Sequence, residues 1–285
     1  MRRFPAAGPR AHKRRYLAAK PVINLASVVN AARARTEYDR ITDKYEDISS
    51  SVADLGSRLL EFAAPAPGTR VLDVGTGRGA VARAALAKDC FVTAIDASPR
   101  VVKRLTSEVP ELVGRPMDAE DLDFARGSYD LVTAGFVMQV LDDPVTVLAE
   151  IRRVLVAGGT VALSLETRPT RRPGWLGELS AEFFSGDTGE EPVPMTHDRL
   201  DALLTKAGFV YLARESIEIP LPIADPEALW AWLTPRGLAA DVASLPADRA
   251  EKFRAGFLAE ARHRHENGGI VLDFTATLHR AQVPP

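Results

Sequence analysis

The chain has 285 residues, of which 46% are hydrophobic, and a formal net charge of −2. This length and composition suffice for one large buried core, and no apolar run approaches the roughly 18 residues that a membrane-spanning helix needs. The first 35 residues hold nine Lys and Arg and no acid, so the negative charge resides in residues 36–285. Because a nucleic-acid-binding domain presents a basic face to phosphate, this distribution argues against nucleic acid as the main substrate.

Residues 1–35 form a basic segment that we expect to be a solvated, disordered arm. A weak contact with anions or with a membrane surface is the alternative for this arm, which lacks the apolar stretch of a secretory signal. Cys90 is the single cysteine. It therefore provides no disulfide framework and no thiolate zinc site, and it favours a cytoplasmic location.

Predicted helices and strands alternate along the chain. A helical stretch at 36–63 precedes strands near 70–74, 91–95, 112–117, 129–135 and 160–165, with helices near 79–88, 99–108 and 144–155 between them. A helix at 196–207, a strand at 210–220 and a last strand at 270–278 follow. This alternation predicts an α/β fold with a parallel sheet. Gly114 and Pro116 interrupt the third strand, which suits the edge of a sheet.

The most informative stretch is residues 71–82, where a buried strand runs into a three-glycine turn and then a helix. Gly75, Gly77 and Gly79 allow the backbone to turn sharply and to approach a ligand closely, and the free N–H groups of the helix start face that ligand. In the dinucleotide fingerprint the third glycine comes three residues after the second, whereas here it comes two after. With Asp73 just before the turn, this spacing favours S-adenosylmethionine over NAD, although a glycine turn alone is a weak signal.

Four further motifs follow in order: a second strand that ends in Asp96, a turn at 117–122, a strand at 128–134, and a glycine turn that enters a strand at 154–164. With the three-glycine turn, they resemble the class I S-adenosylmethionine-dependent methyltransferases, in particular the ubiquinone/menaquinone-type small-molecule methyltransferases. The resemblance implies a Rossmann-like α/β fold: a seven-stranded, mostly parallel sheet with helices on both faces. It also implies an antiparallel last strand inserted between strands five and six, and a single methyltransferase domain at 36–285.

By the same resemblance, S-adenosylmethionine is the cofactor. Asp96 would hold the ribose hydroxyls and Asp73 the ammonium group, while Asp118 and the Ala119 backbone would bind the adenine. Both Asp96 and Asp118 fall at the carboxyl ends of predicted strands, where open α/β sheets bind ligands. The expected cofactor-binding residues are Asp73, Gly75, Thr76, Gly77, Gly79, Asp96, Ala97, Asp118, Ala119, Gly135 and Phe136.

Two variable segments, 168–195 and 225–268, are expected to form a helical lid over the substrate. Alternatively, their aromatic side chains only pack the lid onto the sheet. In the helix after Asp225, Trp230 and Leu233 are predicted to point inward and Trp232 elsewhere. The expected substrate-binding residues are Met138, Gln139, Trp175, Phe183, Phe184 and Trp230.

The sequence assigns no general base. Gln139 stands where several relatives carry histidine, and an amide does not accept a proton at neutral pH. The catalytic candidates are His197, His263, His265 and Asp142, and each of them also suits an ordinary surface or capping role. Residues 133–139 are apolar apart from the first and the last, so we expect no metal site. A site that uses the carboxylates of Asp142 and Asp143 is the alternative.

The sequence therefore predicts an S-adenosylmethionine-dependent methyltransferase that acts on a small, largely apolar metabolite such as a quinone, a polyketide or another secondary metabolite. A cyclase or pericyclase that binds the cofactor without transferring its methyl group is the alternative, because the site and not the fold determines function. A NAD-binding oxidoreductase is a third hypothesis, which the glycine spacing disfavours. The methylated atom and the oligomeric state stay open.

Overall fold

The computed structural model describes residues 49–166, 174–184, 195–234 and 238–285. The basic arm, the start of the first helical stretch and parts of the first lid segment lie outside these residues. Within the described part of the chain, no helix is long and apolar enough to cross a membrane.

A seven-stranded sheet organises the fold. Its strands are β1 (Arg70–Val74), β2 (Phe91–Asp96), β3 (Val113–Pro116), β4 (Tyr129–Gly135), β5 (Leu155–Glu166), β6 (Val210–Ile223) and β7 (Ile270–Gln282). They lie in the order β3-β2-β1-β4-β5-β7-β6, and β7 alone runs antiparallel to its neighbours. This arrangement confirms the predicted fold class, including β3 at an edge and β7 between β5 and β6.

The helices are α1 (Ser49–Ala63), α2 (Ala80–Leu86), α3 (Pro99–Glu108), α4 (Pro144–Val154), α5 (Gly174–Phe183), α6 (His197–Lys206), α7 (Pro226–Leu233), α8 (Leu238–Ala243) and α9 (Ala247–Glu266). The side chains of Ser98, Asp143, Thr196 and Asp225 accept hydrogen bonds from N–H groups in the first turns of α3, α4, α6 and α7. These caps fix where the helices begin, which is why the sequence located them. The sequence does not predict α5 and α8, whose first residues follow positions outside the described part of the chain.

The sheet separates two apolar clusters. One face, which we call the lid face, packs against α1, α2, α5 and α7 to α9, and its cluster includes Ala162 and Phe257. The opposite face packs against α4 and α6, and its cluster includes Leu163 and Leu200. Successive residues of β5 thus point to different faces, as strand geometry requires.

Two strands extend beyond the others. Glu166, the last residue of β5, pairs with Ala276, whereas β7 begins six residues earlier, at Ile270. Among the described residues, this earlier part of β7 pairs with β6 alone. At about 3.3 Å per residue, the two-stranded ribbon projects roughly 20 Å past the carboxyl end of β5. The helices α7, α8 and α9 connect the two strands at its tip. The ribbon therefore carries the lid, and β6 and β7 are longer than predicted.

Candidate functional site

A buried carboxylate holds the three-glycine turn. Asp73 is 1% exposed, and its oxygens accept hydrogen bonds from the hydroxyls of Thr76 and Thr133 at 2.7 and 2.8 Å. Burial raises the pKa of Asp73 to about 6, although both hydrogen bonds favour the ionised form. Asp73 thus ties the turn after β1 to β4, and its contact with an ammonium group stays a prediction.

The three glycines of the turn serve different purposes. All have a left-handed φ, between 54° and 78°, which favours glycine. A Cβ on Gly75 would collide with Val137 and one on Gly79 with Leu105, whereas a Cβ on Gly77 would meet no atom within 4 Å. Gly75 and Gly79 therefore permit close packing within the protein. Gly77 is the one of the three that leaves open space, and the contact of all three glycines with the cofactor stays a prediction.

Asp96 joins this turn to the helix after β2. Its Oδ2 accepts a hydrogen bond from the Gly77 N–H and its Oδ1 one from the Ser98 N–H, both at 3.0 Å. Asp96 is half-buried and Ala97 is exposed. Because a carboxylate offers about four acceptor positions, these two bonds are compatible with hydroxyl ligands on the same group.

The exit of β3 lies beside Asp96, because the Met117 N–H donates to the Asp96 carbonyl oxygen at 3.0 Å. Asp118 is exposed, and its Oδ1 accepts a hydrogen bond from the Glu120 N–H at 3.0 Å. Ala119 is half-buried and packs against the opposite-face cluster. The two acids therefore share the carboxyl edge of the sheet.

The segment after β4 folds over the end of β5. Phe136 has a φ of 59°, which is uncommon outside glycine, and its N–H donates to Ser164 Oγ at 3.0 Å. Gln139 Oε1 accepts a hydrogen bond from the Glu166 N–H at 3.0 Å. Met138 is 1% exposed within the opposite-face cluster. A side chain packed in this way offers little surface to a ligand, and the expected role of Met138 in substrate binding stays a prediction.

These groups fit a cofactor that carries hydroxyl groups and a positive charge. Gly77 leaves open space in a turn that two carboxyls hold, the buried Asp73 through Thr76 and the half-buried Asp96 through the Gly77 N–H. Both lie at the carboxyl ends of parallel strands, beside the first N–H groups of α2, where α/β sheets bind nucleotide-like ligands.

Proteins of known function are similar to this chain in sequence. A family model described as a methyltransferase domain matches residues 72–163. The aklanonic acid methyltransferase DauC of Streptomyces sp. (strain C5) is 33% identical over 155 residues, which cover 51% of this chain and 69% of that protein. The chain belongs to the class I S-adenosylmethionine-dependent methyltransferases. It is thus an enzyme whose cofactor is S-adenosylmethionine, as the three-glycine turn predicts.

Two further relatives cover more of the chain. The nocamycin O-methyltransferase of Saccharothrix syringae is 29% identical over 222 residues, 68% of this chain and 79% of that protein. The demethylmenaquinone methyltransferase of Renibacterium salmoninarum is 28% identical over 250 residues, 86% of this chain and 89% of that protein. The similarity therefore extends beyond the cofactor half of the methyltransferase fold.

Six aromatic rings converge in the lid of this methyltransferase. They belong to Trp175, Phe183 and Phe184 from α5 and its end, Trp230 from α7, and Phe253 and Phe257 from α9, with neighbouring ring centroids 5.0 to 6.5 Å apart. Phe253 and Phe257 are fully buried, whereas the other four are half-buried. We call this group the lid aromatic cluster. It packs the lid together, as the alternative interpretation expects, and four of its members still have accessible surface.

The predicted orientation of α7 is partly wrong. Trp232 is 2% exposed and Leu233 equally buried, while Trp230 is half-buried against Phe257. Trp232 therefore belongs to the core between lid and ribbon. Both faces of this short helix pack against apolar neighbours. A prediction that assumes one buried face and one exposed face is therefore wrong for this helix.

His197, a catalytic candidate, lies on the face opposite the lid. Its Nδ1 is 3.2 Å from Nε2 of His279, a fully buried residue of β7 whose Nδ1 is 3.0 Å from Asp201 Oδ1. Burial lowers the pKa of His279 to about 4 and also lowers the pKa of His197, so both rings are neutral at pH 7. The His197 ring therefore packs between α6 and β7, and its catalytic role stays a prediction.

The other catalytic candidates lie at or beside the ends of helices, and their roles stay predictions. His263 and His265 lie in the last turn of α9 at the tip of the ribbon. Asp142 is exposed, and its neighbour Asp143 is the cap of α4. Among the described residues, no three His, Cys, Asp or Glu side chains lie close enough to hold a metal ion, and the expected absence of a metal stays a prediction.

Sequence reasoning misses three residues of interest. Phe253 and Phe257 are the centre of the lid aromatic cluster, and their spacing of four residues in a helix is the signal that was available. Glu166 is the single charged residue of β5 and stands at its carboxyl end. A charged residue at the carboxyl end of an otherwise uncharged strand, where α/β sheets bind ligands, could have indicated a site residue from the sequence.

Proposed function

We propose that this methyltransferase acts on a small, largely apolar metabolite of the quinone or polyketide kind, as part of secondary metabolism in the cytoplasm. The observation that carries the proposal is the lid aromatic cluster, which is formed by α5, which follows β5 in the chain, and by α7 and α9 at the tip of the ribbon. Relatives named for nocamycin, aklanonic acid and demethylmenaquinone support the same class of acceptor.

The cofactor supplies a methyl group that its sulfonium already activates. The chain must therefore hold an acceptor atom about 3 Å from that carbon and exclude water. The half-buried rings of Trp175, Phe183, Phe184 and Trp230 provide apolar surface for the first task. The guanidinium groups of Arg249 and Arg254 lie over the rings of Phe183 and Trp230, at 5.7 and 5.5 Å from the ring centroids. These cation–π contacts help to hold the two rings in place.

The test uses the full chain with methyl-labelled S-adenosylmethionine and a panel of acceptors. The panel contains 1-naphthol, 2-hydroxy-1,4-naphthoquinone and a hydroxyanthraquinone, with glycine and phosphoethanolamine as polar controls. We expect label in an extractable product of at least one aromatic acceptor and none in the polar controls. Label only in the polar controls, or in no acceptor at all, contradicts the proposal.

A parallel calorimetric titration with S-adenosylmethionine and with NAD separates the remaining hypotheses. Binding of the first ligand without label transfer to any acceptor is the result that a cyclase or pericyclase would give. Binding of NAD is the result that an oxidoreductase would give. We expect binding of S-adenosylmethionine alone, together with label transfer.

A further inference from the structure

Glu166 stands beside the exit of β4, where the cofactor half of the site meets the lid. Gly135 at the end of β4 pairs with Ser164, and Glu166 is two residues further along β5. With a rise of about 3.3 Å per residue and a strand spacing of about 4.8 Å, the Cα atoms of Glu166 and Gly135 are roughly 8 Å apart. That separation is within reach of a glutamate side chain and one acceptor group.

The side chain of Glu166 belongs to the lid face. Alternate residues of β5 share a face, and Ala162 belongs to the same apolar cluster as the lid residues Leu176 and Phe257. Ala276, which pairs with Glu166, is fully buried in that cluster. The carboxylate therefore emerges from the sheet on the side where the lid aromatic cluster lies.

The backbone of Glu166 is fixed by the segment that follows β4. Gln139 Oε1 accepts its N–H at 3.0 Å, and Phe136 donates to the carbonyl oxygen and to Oγ of Ser164 at 3.2 and 3.0 Å. Phe136 holds a strained left-handed conformation at this junction. These bonds position the start of the Glu166 side chain, which is what a group that acts on a substrate needs.

Several other acids share this edge of the sheet. Asp73 and Asp96 hold the glycine turn and Asp143 caps α4, while Asp118 and Asp142 are exposed. Glu166 is distinguished by its face, because strand geometry places it on the side of the lid.

We propose that Glu166 is the proton acceptor of the methyl transfer and that the acceptor group is consequently a phenol or enol hydroxyl. The electron pair of the acceptor oxygen forms the O–CH₃ bond, the electron pair of the broken C–S bond stays on sulfur, and the hydroxyl proton moves to the Glu166 carboxylate. This inference rests on the proposed function and adds the chemistry of the acceptor to it.

Two acceptors test the proton transfer. The hydroxyl of 1-naphthol is protonated at neutral pH, whereas 2-hydroxy-1,4-naphthoquinone is already ionised and needs no base. We expect Glu166→Gln to lower kcat for 1-naphthol by at least about 100-fold, the usual contribution of a general base. For the ionised acceptor we expect a change below threefold, with unchanged KM. Glu166→Asp should recover part of the rate with 1-naphthol.

Several results would overturn the inference. An equal loss for both acceptors would assign Glu166 a structural role, and no loss for either would remove it from the reaction. Calorimetric affinity for S-adenosylmethionine must stay unchanged in Glu166→Gln, and Glu215→Gln, an exposed glutamate on β6, is the matched control. If the unmodified protein labels no aromatic acceptor of the panel, the proposed function itself fails, and this inference fails with it before any variant is made. If it labels only the hydroxyanthraquinone, the proposed function holds, and an unchanged kcat of Glu166→Gln with that acceptor overturns the inference.

Discussion

The glycine turn and the lid of this methyltransferase are stabilised in different ways. Hydrogen bonds to two carboxylates, Asp73 and Asp96, position the turn, whereas ring packing around Phe253 and Phe257 holds the lid. A hydrogen-bonded turn requires given residues at fixed spacing, but a packed core accepts many arrangements of large apolar side chains. The turn therefore carries a recognisable motif and the lid does not, and substitutions should affect cofactor affinity in one and stability or specificity in the other.

Phe253→Ala gives the largest expected effect, a loss of about 3–5 kcal/mol in the free energy of unfolding, because a fully buried ring is replaced by a cavity. Phe183 and Phe184 would lose a neighbour at 5.3 and 5.0 Å. Urea denaturation measures the loss, and Phe253→Leu is the control with a smaller one. We expect the affinity of the folded variant for S-adenosylmethionine to stay the same. A large change in that affinity would show that lid and turn are coupled.

Asp96→Ala tests whether a substitution at the glycine turn lowers cofactor affinity. We expect cofactor affinity to fall by about 2–4 kcal/mol, because two hydroxyls lose a charged acceptor and the Gly77 and Ser98 N–H groups lose theirs. Calorimetric titration measures the change, and Asp118→Ala, at an exposed acid, should cost only about 1 kcal/mol. Full affinity in folded Asp96→Ala would remove Asp96 from the ribose site.

Local signals in the sequence predict where the helices and strands begin, whereas the order of the strands is what the resemblance to the methyltransferase family implies. Ser98, Asp143, Thr196 and Asp225 cap helices at the predicted positions, and β3 lies at the edge where Pro116 is tolerated. The same local signals also place Asp73 and Asp96 at one edge of the sheet.

The lid resists such prediction because its contacts are between segments far apart in the chain. The ribbon depends on pairing of residues near 220 with residues near 272, and no local pattern reports that pairing. His279 is another example, since its burial depends on Asp201 and His197 in a different element. Met138 follows a strand towards the site, yet its side chain turns into the core.

Asp73 makes the stability of the turn depend on pH. Its pKa is raised from 3.8 to about 6 in the folded protein, so the folded state binds this proton more tightly than the unfolded state does. The resulting stabilisation, about 3 kcal/mol, is fully present below about pH 4 and is lost as the pH rises through 6. Urea unfolding of the unmodified protein and of Asp73→Asn between pH 4 and 8 measures it. Parallel stability curves for the two proteins would contradict the prediction.

Trp230→Ala has the smallest expected effect and tests whether the lid aromatic cluster binds the acceptor. Trp230 is half-buried, with its ring 5.0 Å from that of Phe257 and beneath the Arg254 guanidinium, so its accessible side is free to contact an acceptor. We expect a loss of roughly 1–3 kcal/mol in kcat/KM for the acceptor, because apolar contact is removed, with cofactor affinity nearly unchanged. Phe91→Ala, at an exposed ring on β2, is the control. If Trp230→Ala, Trp175→Ala and Phe183→Ala all keep the original kcat/KM while folded, the lid aromatic cluster has a packing role alone and the acceptor binds elsewhere.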